Sequence, residues 1–135
     1  MKTLSLSIKQ KYFDEILAGT KKNEYREVRA NNFAKYARYV LNGKEYKNPD
    51  DIPEKEDGDV TITPVKYDAL KLITGAYNLP KRPYLIVKVK KAEVYILTDE
   101  KGEEIVYEHE GEEYLAAEID YHLGEIIEKE LYNKS

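Results

Sequence analysis

Leu4-Ser5-Leu6-Ser7-Ile8 alternates apolar with hydroxyl-bearing residues, the period of a strand with one buried face, and predicts a first strand over residues 3–8. Tyr12, Phe13, Ile16 and Leu17 then recur at helical spacing, so a helix over residues 9–18 lays an apolar face on that strand. Gly19 reads as the residue just beyond the last helical turn, where a positive φ costs glycine little. Residues 22–28 predict a second, charged strand. Along it Glu24 and Arg26 point to the same face about 7 Å apart, because side chains alternate and each residue advances about 3.4 Å.

Beyond residue 29 the pattern loosens. Asn31-Asn32 can cap a short helix through Phe33, Ala34, Tyr36, Ala37 and Tyr39-Val40, a stretch of mixed helical and extended character. Residues 42–59 start with the turn dipeptide Asn42-Gly43 and continue almost entirely in charge, proline and glycine; they predict a mobile, solvated loop inserted in one domain. Tyr67, Leu70 and Ile73 recur at helical spacing and predict a helix over Val65 to Ile73, stopped by Gly75. The strongest strand pattern is Tyr84-Leu85-Ile86-Val87-Lys88-Val89-Lys90, continued by Ala92 to Leu97. Asp99 to Gly102 and Glu110-Gly111 read as turns on either side of an extended Glu104 to Glu108. In the final strand Leu115, Ala117, Ile119, Tyr121 and Leu123 form the core face, and Gly124 is expected to break or bulge it; residues 125–131 fit a short helix or a further extended segment.

Composition narrows the partner. A chain of 135 residues is a natural single domain, 1–135, with enough length for a real core. No apolar run approaches the ~20 residues that span a bilayer, and no apolar export signal opens the chain, which predicts a soluble, cytoplasmic protein without a membrane partner. With no cysteine and two histidines, zinc-thiolate sites and disulfides are excluded, and neither a metal nor a cofactor is expected. The net charge of −4, from 22 basic and 26 acidic residues, repels long nucleic acid. Basic residues nevertheless outnumber acidic ones between residues 2 and 47, so a basic cleft in an acidic shell suits a short or single-nucleotide ligand.

The candidate chemistry lies in Gly19-Thr20-Lys21-Lys22-Asn23-Glu24-Tyr25-Arg26. A carboxylate and a guanidinium on one strand face can grip a polar planar ligand; they can equally pair with each other. Thirteen tyrosines beside two phenylalanines and no tryptophan fit half-buried barrel positions, ring inward and hydroxyl outward. Tyr25, Tyr36, Tyr39, Tyr77 and Tyr84 stand near Lys or Arg in sequence and are the candidates for stacking on a base. His122, on the same strand face as Glu118 and Asp120, resembles an oriented general base and reads equally as a solvated strand histidine; His109 between two glutamates has less in its favour. Neither has the partners of a convincing metal site.

The run from Leu4 to Ile8, through Ile16-Leu17-Ala18-Gly19-Thr20-Lys21, to Glu24-Tyr25-Arg26 resembles the ASCH domain signature: a glycine, a lysine two on, then glutamate-any-arginine. A weaker resemblance covers Arg82 to Val87 and Tyr121-His122-Leu123-Gly124. The resemblance implies an α+β fold, a small PUA-like β-barrel of about five to seven strands with two or three flanking helices. It also implies a cleft in which Lys21, Glu24 and Arg26 gather; Tyr25 and Tyr84, singled out by their nearness to Lys or Arg in sequence, are the tyrosines expected to bind the ligand there. The function it implies is binding of a nucleotide, a modified nucleoside or a short single-stranded RNA. One branch of the family hydrolyses acetylcytidine with a lysine and a threonine three residues later; here Lys21 is present but Glu24 replaces that threonine. A carboxylate at that place favours the charged ammonium, the opposite of what a base needs, so Lys21 and Glu24 are catalytic only if the chain is an enzyme. Another branch is linked to RNA cleavage, with which Lys21 and Tyr25 are compatible. A protein-interaction module with a degenerate cleft is the further alternative.

Overall fold

The structure, a computed structural model, describes residues 1–55 and 57–132. Among them, in chain order, are β1 (Thr3–Ser7), α1 (Gln10–Leu17), β2 (Asn23–Val28), α2 (Phe33–Tyr36), β3 (Ala37–Leu41) and β4 (Lys44–Tyr46). A single 3-10 turn, Pro49–Asp51, follows. The remaining strands are β5 (Thr61–Pro64), β6 (Ala69–Ile73), β7 (Tyr84–Ile96), β8 (Val106–His109), β9 (Glu112–Leu115) and β10 (Ala117–Glu130). The fold is α+β with strands predominating. The chain divides into two compact units: Met1–Glu24 with Lys66–Lys91 and the segment from Tyr121 onward, and Tyr25–Val65 with Ala92–Asp120.

The sheet order is β1-β6-β7-β10-β2, of which the first unit holds β1, β6, β7 as far as Lys91, β10 from Tyr121 and β2 as far as Glu24. β1 pairs parallel with β6, Leu4 opposite Leu70 and Leu6 opposite Leu72, and β6 pairs antiparallel with β7. The alternation read from β1 holds: Leu4 and Leu6 are buried and Thr3, Ser5 and Ser7 exposed. Phe13 and Ile16 of α1 are buried with them, while Tyr12 lies on the helix's outer side.

β6 corrects the helix expected over Val65 to Ile73. Ala69, Leu70 and Leu72 are all fully buried, and the strand is flanked on both edges by β1 and β7. A strand covered on both faces carries a near-continuous apolar run, whose spacing matches a helix as well as a strand; pairing partners distant in sequence decide between them. A second correction concerns Gly124, where β10 neither breaks nor ends but runs on to Glu130. A Cβ at Gly124 would lie 3.3 Å from Lys88 Cβ and 3.3 Å from Lys90 Cγ, so the glycine serves close approach to β7.

The second unit holds the three-stranded sheet β4-β3-β5 and the hairpin β8-β9, with buried Val28, Tyr36, Ala37, Leu41, Tyr46 and Val65 among its core residues. The helix expected through Tyr39-Val40 ends at Tyr36. From Ala37 the chain is β3, whose residues Arg38 to Val40 pair with Thr61 to Thr63 of β5. The expected loop over 42–59 contains structure: Asn42-Gly43, both at positive φ, turn the chain into β4, and Tyr46 is buried opposite Tyr39. Glu56, in the same stretch, lies outside the described residues, as do residues 133–135. The turn at Asp99 is closed by its own carboxylate, which accepts from the amides of Lys101 and Glu103. Glu110 and Gly111, φ 51° and 81°, make the tight reversal between β8 and β9.

Candidate functional site

The end of α1 sets the position of Lys21. Gly19 takes φ 81°, and the amides of Thr20 and Lys21 both donate to the Glu15 carbonyl, at 2.9 and 3.1 Å. The Thr20 hydroxyl donates to the same carbonyl at 3.1 Å. The left-handed residue turns the chain back over the helix end, and three donors satisfy a carbonyl the helix would otherwise leave open. One residue on, the Leu123 amide donates to the Lys22 carbonyl, fastening this segment to β10.

Lys21 Nζ stands 4.0 Å from Glu24 Oε1 and 5.2 Å from the centre of the Tyr12 ring. Glu24 is one of few buried charged residues, with 5% of its surface exposed. Burying a carboxylate is costly unless it is paired, and the adjacent ammonium offsets part of that cost. Beside this pair is a hollow of about 280 Å³ lined by Ile16, Gly19, Lys21, Lys22, Lys90, Leu123, Gly124, Glu125 and Ile126. Three lysines against one glutamate among its lining residues give the hollow a positive balance, beside the apolar Ile16, Leu123 and Ile126. Glu125 is itself engaged by Lys88, 3.7 Å away.

The other sequence candidates are distributed as follows. Tyr25, half exposed, and Arg26, partly buried, belong to the second unit; along β2 the less exposed positions are Glu24, Arg26 and Val28, the alternation expected from sequence. Tyr84 does not line the hollow. Its hydroxyl donates to Glu128 Oε2 at 2.5 Å, and Lys71 Nζ lies 4.3 Å above its ring. That hydrogen bond, ahead of desolvation and the Glu128 charge, pushes the Tyr84 hydroxyl up to about 12. Tyr77 is 80% exposed under the Arg82 guanidinium at 4.3 Å. Its hydroxyl lies below the ordinary tyrosine range, first because of its hydrogen bond with Ser7 and then because of the Arg82 charge. Tyr36 is buried, and Tyr39 stacks on Phe33 with centroids 4.3 Å apart.

His122 Nδ1 lies 3.4 Å from the Asn23 side-chain nitrogen, and His109 Nε2 is 3.9 Å from Glu110 Oε1. Among the described residues no group of three His, Asp or Glu side chains is arranged to hold a metal ion. No helix among them is long and apolar enough to cross a membrane.

Of the residues singled out from sequence, Lys21 lines the hollow and Glu24 lies 4.0 Å from the Lys21 ammonium, while Lys22 and Lys90, not named as site residues, line the hollow as well. Lys90 has no local signal, since it arrives through the β7-β10 pairing; Gly124 carried one, a glycine inside an alternating strand. No protein-family model, no curated protein and no solved structure matches this chain.

Proposed function

We propose that the hollow beside Lys21 and Glu24 binds a nucleotide, a modified nucleoside or the end of a short single-stranded RNA, in an ASCH-type domain whose strands follow the PUA-like barrel plan. The observation that carries this reading is the set Lys21, Lys22 and Lys90 lining a hollow of about 280 Å³, with Lys21 also 4.0 Å from the buried Glu24 carboxylate. Ammonium groups attract a phosphate, and a buried carboxylate accepts from an exocyclic amine. The volume is at the small end of ligand pockets, which run from about 300 Å³, and suits one phosphorylated unit better than a polymer track. Arg26 enters this reading from the sequence resemblance, and Tyr25 and Tyr84 from their nearness to Lys or Arg in sequence.

Binding is favoured over hydrolysis by two contacts. Thr20, the hydroxyl next to Lys21, is committed to the Glu15 carbonyl, and the Lys21 ammonium faces the Glu24 carboxylate. Neither arrangement prepares a nucleophile and a base.

The test is an amide NMR titration with nucleosides including acetylcytidine, nucleotides, and a short single-stranded RNA, with ligand signals recorded in the same tubes. Saturable shifts at Lys21, Lys22, Lys90 and Gly124 with intact ligand are expected. Lys22→Met and Lys90→Met, exposed residues outside the buried pair, should weaken binding by about tenfold each while leaving the unfolding free energy in urea within about 1 kcal/mol of the parent. Loss of the acetyl group or RNA cleavage would replace the reading with a hydrolase. Silence across the panel would sink both and leave a protein partner as the leading idea.

A further inference from the structure

The second unit carries a hollow of different chemistry. A space of about 450 Å³ is walled by Phe33, Tyr39 and Tyr114, and the same three rings also wall an adjoining space of about 200 Å³ that reaches Tyr107. Phe33 and Tyr39 stack at 4.3 Å with planes 19° apart, and Tyr107 and Tyr114 lie nearly parallel at 5.8 Å. Pinning contacts hold the cluster: the Ala30 amide donates to the Tyr107 hydroxyl at 2.9 Å, and the Tyr114 hydroxyl donates to Glu112 at 3.2 Å.

Charge decides the occupant. The larger space is bordered by Asp50, Asp51 and Glu112 against Lys47 alone, so its rim is negative. The tyrosine hydroxyls add nothing to that charge at neutral pH, since desolvation holds both Tyr39 and Tyr114 above the ordinary tyrosine range; the nearby Asp50 carboxylate further opposes ionisation of Tyr114. The chain also shows how these rings behave toward a cation: the Arg29 guanidinium, held by Glu27 at 2.5 Å, lies 5.6 Å above the Tyr107 ring.

We infer that the aromatic hollow walled by Phe33, Tyr39 and Tyr114 is a binding site for a compact organic cation, an alkylated ammonium head. Aromatic faces attract such a cation through their quadrupole, and carboxylates at the rim raise its local concentration. Asp50, Asp51 and Glu112 are exposed, so they act through their field and not as desolvated hydrogen-bond acceptors. A cation whose charge is spread over methyl groups needs no acceptor and gains most from rings. This site prefers the charge opposite to that of the lysine-lined hollow and shares no residue with it, so either stands without the other.

The test is titration of the protein with choline, followed by amide NMR, beside the uncharged isostere in which a tert-butyl group replaces the trimethylammonium. Saturable millimolar shifts at Phe33, Tyr39, Asp51 and Tyr114 are expected for choline, with the isostere at least about fivefold weaker. Asp50→Asn with Asp51→Asn should weaken choline by about threefold and leave the isostere unchanged. Tyr114→Leu should abolish binding and Tyr114→Phe preserve it; if the leucine variant does not fold, the phenylalanine and asparagine variants still discriminate. Equal binding of the isostere, choline shifts scattered outside this hollow, or no saturable shift overturns the inference.

Discussion

Tyr84 and Tyr77 differ at the residue scale by what their hydroxyls meet. Tyr84 donates to a carboxylate, which favours the neutral phenol and raises its pKa from 10 to about 12; Tyr77 meets the Ser7 hydroxyl and lies under Arg82, which favour the phenolate. In a carbon-labelled tyrosine NMR titration, Tyr77 should therefore ionise before Tyr84. Since the folded value for Tyr84 lies above the unfolded one, the Tyr84–Glu128 bond stabilises the fold fully below about pH 10 and its contribution disappears as pH rises through about 12. Glu128→Gln should bring Tyr84 back toward the ordinary range, and an unchanged titration would mean that the bond is absent in solution. Neither phenol's environment was legible locally: proximity to Lys or Arg in sequence singled out both residues, but Ser7 and Glu128 are contributed by strands far away along the chain.

At the scale of elements, β6 is a strand paired on both edges with Ala69, Leu70 and Leu72 fully buried. Leu72 is fully buried between two paired strands, so Leu72→Ala should lower the unfolding free energy by about 2–5 kcal/mol in urea denaturation. Hydrogen exchange at residues 69–73 should be slow, because each side of the strand is paired; rapid exchange there would contradict the sheet order. Gly124→Val tests the close approach of β10 to β7, with an expected cost of about 1–3 kcal/mol, since Lys88 Cβ cannot move without its strand. The elements that sequence located best, β1, α1 and β2, have one face buried and a period that reports it. Of those it misread, β6 and the end of α2 contain apolar residues that fit two periods, and the hydrogen-bond partner settled which. β4 was hidden in a charged stretch, and Gly124 continues β10 instead of breaking it.

For the whole molecule, a net charge of −4 works against any polyanion while three lysines gather at one hollow. Binding of a nucleotide should accordingly show a shallow salt dependence, with a slope in log-log form of about −2, the neutralisation of two to three phosphate charges at about 0.7 each. Lengthening the RNA beyond a few nucleotides should add little affinity; a steep slope or strong length dependence, read by fluorescence anisotropy, would point to an extended interface instead. Half of the candidate site was readable from the chain. The helix-glycine turn and the Lys21-to-Glu24 spacing depend on residues within one or two turns of each other, and local sterics and hydrogen bonds dictate them. What the sequence determined by itself was therefore the strand-helix-strand beginning, the excess of strands, the absence of thiols and the overall acidity. Only the tertiary structure decided that Lys90 and Gly124 join Lys21, that residues 69–73 are a central strand, and that Phe33, Tyr39 and Tyr114 wall one hollow. Each of these depends on which strand edges pair, and strand pairing joins residues far apart along the chain, which no local period encodes.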